Sequence, residues 1–276
     1  MRISILCILI TLCSGHAIAQ MPSSSRLSET AAGSPQPFLF SVTTLSESGR
    51  VWSLAYSGSY GERTFGPFGY DGLGQQLAIK GYLGKRFTLW ASVAAGFPHS
   101  GKITSAQQAE IIRDLVGGKK QSGPRLGLSF GVSRDWENVK SVSSRITASF
   151  DAAKWRFGGN MRFEKSFNAS RDKIDFTTSA GFHHSIGKTV YGGIEAVGQD
   201  LEGFWEEDEA EGGARLFIGP SVNIVPGSSR FGFSACGGPV FYATRSNAVP
   251  SQALRDLSLK NGYTVRAMVS FNLQGN

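Results

Sequence analysis

The sequence predicts an all-β protein, a closed antiparallel transmembrane β-barrel of ten to twelve strands with short loop helices. Three observations carry this reading. From about residue 38 onward, apolar side chains recur at every second position. Of 276 residues, 35 are glycine and 11% are aromatic, yet only 18% are charged, against roughly 25% in soluble domains. The connections between the alternating segments also fall into a short class and a long one.

Segment by segment, Trp52, Leu54, Tyr56 and Tyr60 alternate with Ser53, Ala55, Ser57 and Ser59. Leu126, Leu128, Phe130 and Val132 alternate with Arg125, Gly127, Ser129, Gly131 and Ser133. Trp155, Phe157, Met161 and Phe163 oppose Arg156, Gly158, Asn160, Arg162 and Glu164. Ala214, Leu216, Ile218, Val222 and Ile224 oppose Arg215, Gly219, Ser221 and Asn223, with Phe217 breaking the polar set. The final segment sets Tyr263, Val265, Ala267, Val269 and Phe271 against Thr264, Arg266, Met268 and Ser270. Similar stretches lie near 77–83, 87–95, 146–152, 174–186, 190–198 and 231–241.

Alternation suits a soluble sandwich or small barrel, apolar face inward, as well as a membrane barrel with that face on lipid. Strands of about ten residues match a tilted bilayer crossing. The other face is mostly small and neutral with scattered Arg and Glu, whereas soluble exteriors are dense in Lys and Glu. Trp52, Tyr60, Phe87, Trp155, Phe163, Tyr263 and Phe271 sit near strand ends, where an interfacial aromatic girdle forms. These three features favour the membrane version.

Gly84-Lys85, Gly187-Lys188 and 226–229 mark tight connections; 97–123, 199–212 and 244–261 are long and polar. On this pattern, over residues 38–273 with aromatic Phe271 in the terminal strand, the chain resembles the broad class of bacterial outer-membrane β-barrel proteins. Residues 272–276 follow the point where many members stop. The resemblance implies a Gram-negative outer membrane, short turns on the periplasmic side, and lipid and lipopolysaccharide as surroundings. An even strand count of ten or twelve fits, with twelve favoured. Residues 152–154 are either a tight turn or a bulge, and 38–48 either a strand or a lead-in to the barrel.

At the N-terminus, Arg2, an apolar run from Ile3 to Leu12, and Ala17-Ile18-Ala19 before Gln20 have the form of a secretory signal peptide, residues 1–19. A lipid anchor at Cys13 is disfavoured because Leu12 stands where a small residue is expected. Residues 20–37 read as a flexible N-terminal segment and 38–276 as the barrel. Beyond the leader only Cys236 remains, so neither an intrachain disulfide nor a multi-cysteine metal site is available. The net charge of +7 is scattered over many short segments, unlike the basic stripe of a nucleic-acid binder.

Two stretches depart from period two. Ser105 and Gln108 resemble a capping box, with Ala109, Ile112 and Val116 at helical spacing and Gly117 as a stop, which predicts a helix over 104–117. A second helix is predicted at 251–259.

Three sets of side chains are candidates for function. Arg125, Arg145, Arg156, Arg162, Arg215 and Arg266 share the polar face with Asp151, Asp175, Glu164 and Glu195. They form either an Arg–carboxylate network filling a narrow lumen or an anion-attracting path. His183 and Ser185 share a strand face, and Glu195 joins it if the intervening loop has an odd length. That set resembles the His-x-Ser…Glu arrangement of outer-membrane lipid A deacylases, in which serine would be the nucleophile. Glu206 and Asp208, in the acidic loop 199–212, are candidates for binding a divalent cation. The expected function is a structural or passive small-solute channel with no cofactor. The alternatives are a membrane-embedded hydrolase, or a surface docking barrel working through loops 97–123 and 199–212.

Overall fold

The computed structural model describes residues 36–48, 51–64, 66–120, 122–152, 154–167, 174–204, 214–226, 229–243 and 261–273. The strands are β1 (Trp52–Glu62), β2 (Gly72–Gly84), β3 (Phe87–Pro98), β4 (Thr104–Val116), β5 (Gly123–Arg134) and β6 (Lys140–Asp151). They continue as β7 (Trp155–Ser166), β8 (Asp175–Ser185), β9 (Val190–Gln199), β10 (Ala214–Ile224), β11 (Phe231–Ala243) and β12 (Gly262–Asn272). Each pairs antiparallel with its neighbours in sequence, and β1 pairs with β12, so the described residues form a closed twelve-stranded barrel.

The pleat sends alternate side chains to opposite faces, and the hydropathy of those faces is inverted relative to a soluble protein. Outward-facing Phe130 is 70% exposed, and Val132, Ile146, Phe163 and Phe182 also stand on the outer surface. Inward-facing Arg145, Thr147, Ser149 and Asn160 are buried. A soluble barrel would bury the Leu/Phe/Val face; here that face needs hydrocarbon. Closure leaves no unpaired sheet edge, which a bilayer would penalise at every free N–H and C=O.

The helix predicted over 104–117 is strand β4, paired with β3 and β5. Thr104, Ala106, Gln108, Glu110, Ile112 and Asp114 face inward, while Gln107 and Arg113 on the outer face interrupt the apolar alternation that would have disclosed a strand. The stretch 97–123 is therefore two short connections flanking a strand. At 152–154 the chain turns, with the Ala152 N–H donating to the Trp155 carbonyl at 2.9 Å. Among the described residues, helical geometry in the loops is confined to 3₁₀ turns at Gly66–Phe68 and Leu201–Phe204. The predicted signal peptide, most of 20–37 and the helix predicted at 251–259 lie outside the described residues.

One rim carries the turns 85–86, 117–122, 152–154, 186–189 and 225–230, together with the start of β1 and the end of β12. Lys85 and Arg86 both adopt positive φ (47° and 66°), the backbone sense that matches hairpin twist. The opposite rim carries the longer loops, among them 200–213 and 244–261. Residues 38–48, left open as a strand or a lead-in, form no strand and lead into β1. They run through the lumen, with Phe38, Ser41, Val42, Thr43, Thr44, Leu45 and Ser46 all buried.

Candidate functional site

The lumen wall is built on inward positions of every strand. Arg145 Nη2 lies 3.1 Å from Glu110 Oε2, and the Ser129 hydroxyl donates to the same carboxylate. Arg125 pairs with Asp151, which also faces Arg156 at 3.9 Å. Arg162 meets Glu164 at 2.9 Å, and Ser141 donates to that glutamate. Arg156 also stacks over Tyr191, with 4.1 Å to the ring centroid. Arg215 lies 6.0 Å from the ring centre of Tyr242. Arg266 covers Phe40 at 4.5 Å. The six arginines picked from the sequence, with Asp151, Asp175, Glu164 and Glu195, thus occupy inward positions of the wall. Among the described residues Lys80, Glu110 and Asp114 add further wall charges; Glu110 and Asp114 were not flagged because they fell in the supposed helix.

Charges in so enclosed a space need partners. Glu110 is 2% exposed, so Glu110→Ala strands the Arg145 guanidinium. Removing one member of a buried pair costs about 3–5 kcal/mol. Urea titration of the folded barrel in lipid vesicles is expected to show that loss, and an unchanged midpoint would remove the pair from the account.

The segment 36–48 is held mainly by side chains of the wall. Both Leu39 and Phe40 donate their N–H groups to Glu195 Oε2, at 2.8 and 2.9 Å. Arg266 donates to the Leu39 carbonyl at 3.2 Å. Asn160 grips Val42 at both ends of its backbone: the Val42 N–H donates to Oδ1 at 2.7 Å, and Nδ2 donates to the Val42 carbonyl at 2.8 Å. Arg125 donates to the Thr44 carbonyl at 3.0 Å, and the Leu45 N–H donates to Thr88 Oγ1 at 3.0 Å. Lys80 Nζ donates to Gln36 Oε1 at 2.9 Å and to Thr43 Oγ1 at 3.2 Å. The Glu47 and Ser48 N–H groups reach the carbonyls of Gly118 and Lys119 at the turn rim.

Packing seats the same segment. Phe38 is 1% exposed and lies 4.6 Å from the His183 ring, centre to centre. Its ring fills a notch over Gly158 and Gly181, which oppose each other across β7 and β8; a Cβ on either would overlap it. Phe40 packs on Phe217 at 4.6 Å. Leu39 and Phe40 lean on a buried apolar cluster of Phe68, Val197, Phe217, Cys236 and Val240.

His183 and Glu195 come together through Ser221 rather than Ser185. The Ser221 hydroxyl donates to Glu195 Oε1 at 2.6 Å and lies 2.9 Å from His183 Nε2. Both His183 and Glu195 are fully buried. A nucleophilic serine must give its proton to histidine, but the Ser221 proton is committed to the carboxylate. Ser185 donates to the Gly187 carbonyl at 2.7 Å at the turn rim, away from this chain of groups. Ser185→Ala is therefore expected to leave lipid A acylation in cells unchanged, as read by mass spectrometry; an added acyl chain in the variant would revive the hydrolase. Glu206 and Asp208 lie outside the described residues. At the turn rim, Glu47, Lys85, Arg86, Arg113, Asp114 and Leu115 line a cleft of about 400 Å³.

No protein-family model and no curated protein sequence matches the chain. Solved structures do. KdgM porin superposes with a TM-score of 0.52 at 9% identity, over 80% of this chain and 99% of that one. NanC porin gives 0.52 at 10% identity, over 80% and 100%. The COG4313 outer membrane channel from Pseudomonas putida F1 gives 0.52 at 10%, over 86% and 99%. The chain thus has the fold of bacterial outer-membrane porins, as the resemblance read from its alternation implies.

Proposed function

We propose that this protein is an outer-membrane channel for small solutes, working passively and stoppered by its own residues 36–48. The observation that carries the proposal is the manner of that stopper's attachment. A segment meant only to fill space could have joined the sheet as a strand. Instead its centre is held by Glu195, Asn160, Arg125, Arg266 and Thr88 side chains, which can release it without breaking a ladder. The porin fold supports the same reading, and one of the similar structures is a KdgM porin in complex with disordered oligogalacturonate.

The anion preference expected from the arginines is modest in this proposal. Lys80 and six arginines face Glu110, Asp114, Asp151, Glu164, Asp175 and Glu195, so the wall is close to neutral. Selection then falls to diameter and hydrogen bonding more than to net charge. Outward-facing Arg134, Lys140 and Lys165 gather at the long-loop rim above Val132, Val142 and Phe163, and would meet the phosphates of lipopolysaccharide. Planar-bilayer recording tests the channel: the full chain should be mostly closed, and a chain with its segment loosened should conduct. Equal, negligible current from both would overturn the proposal.

A further inference from the structure

We propose that the lumen is a binding site for extended oligopeptides carrying an aromatic residue, a site that residues 36–48 occupy in cis. The inference deepens the channel reading by naming a class of ligand, and it rests on how the wall recognises its occupant. Main-chain atoms take most of the contacts. Glu195 accepts from two successive N–H groups, and Asn160 closes a two-point bridge on the N–H and C=O of one residue. Arg266, Arg125 and Thr88 add single backbone contacts at Leu39, Thr44 and Leu45. Every peptide carries these groups at this spacing, whatever its sequence. An oligosaccharide offers mostly hydroxyls and ring oxygens, without the run of successive amide N–H and C=O groups that Glu195 and Asn160 meet.

Side-chain selection is concentrated at two neighbouring places, the notch that takes Phe38 and the apolar seat of Leu39 and Phe40. The notch over Gly158 and Gly181 is shaped to a flat ring, and His183 closes its side. Two residues on, Phe40 packs on Phe217 beneath Arg266, with Leu39 against the same apolar cluster; the wall meets the remaining side chains through small hydroxyls, as at Ser179 on Ser41, and through Lys80 on Thr43. Demand for an aromatic residue in the notch and apolar residues just after it, with tolerance beyond, follows from that division.

Because the resident segment is tethered, a free peptide competes against an effective concentration of the order of 1 mM. The test therefore uses the full chain with Phe38→Ala and Val42→Pro, which empties the notch and removes the N–H that Asn160 accepts, while leaving every wall residue intact. A fluorescent synthetic peptide with the sequence of residues 36–46 is added to this variant in lipid vesicles, and anisotropy and bilayer current are both recorded. Saturable binding is expected. It should weaken by about tenfold or more, a loss of 1.4 kcal/mol, when the peptide's first phenylalanine is alanine or when the barrel also carries Asn160→Ala or Gly181→Ala. A peptide keeping its Phe-Leu-Phe run in place but shuffled elsewhere should retain affinity.

Absence of saturable binding, or equal binding of the peptide lacking the first phenylalanine, would overturn the inference. The two readings fail separately. Binding without current in any state upholds the peptide site and removes the channel; current without binding does the reverse.

Discussion

Phe38→Ala in the full chain is expected to convert a mostly closed barrel into a conducting one. The ring lies in a notch from which water is excluded, and truncating a buried Phe costs about 3–5 kcal/mol where the cavity cannot collapse. A barrel wall fixed by hydrogen-bonded ladders collapses poorly. Since 1.4 kcal/mol is a factor of about ten, the ratio of docked to undocked segment should fall by about two orders of magnitude or more. Gly181→Ala should open the barrel by the opposite route, because its methyl group occupies the place of the Phe38 ring. Agreement between these two substitutions, one deleting atoms from the segment and one adding an atom to the wall, would assign the current to this contact. Recording single channels for both variants beside the parent chain is the check. Persistent closure in both would mean that something other than residues 36–48 seals the path.

Ile146→Arg should destabilise the barrel by about 2–4 kcal/mol, the cost of a guanidinium near the bilayer midplane on the lipid face of a strand. Ile146 sits near the middle of β6 and points outward, flanked along the strand by inward-facing Arg145 and Thr147. The neighbouring arginine is tolerated because Glu110 meets it inside the lumen; one step along the pleat there is hydrocarbon and no partner. Denaturant titration in vesicles of defined thickness measures the difference. In a soluble barrel of the ordinary kind, Ile146 would be core and Arg145 surface, and removing the Arg145 charge would then cost little.

Much of this arrangement was legible in the sequence because a barrel wall is governed by a local rule. Strict alternation in 125–133 and 155–164 placed Arg125, Arg156, Arg162 and Glu164 on the lumen side with no knowledge of their neighbours. The rule fails where local composition is ambiguous. In β4 the outward Gln107 and Arg113 interrupt the apolar face, and Ala109, Ile112 and Val116 fall by chance at helical spacing. It also fails where partners are remote. Nothing between residues 38 and 48 announces that their backbone will be held by Asn160 and Glu195, more than a hundred positions along the chain. His183 and Glu195 share the inward face, which the sequence left conditional on the length of the loop between them, yet the serine that joins them comes from β10. Strand register across the barrel, rather than spacing along the chain, decides which serine that is.

The orientation of the pleat underlies every step above, and tryptophan fluorescence in brominated lipid tests it most directly. With Ile146→Trp in vesicles whose acyl chains carry bromine at mid-depth, emission from the new indole should be strongly quenched and blue-shifted relative to unbrominated vesicles. Emission that ignores the bromine, from a chain that stays in the aqueous phase, would contradict the inside-out barrel and with it the channel.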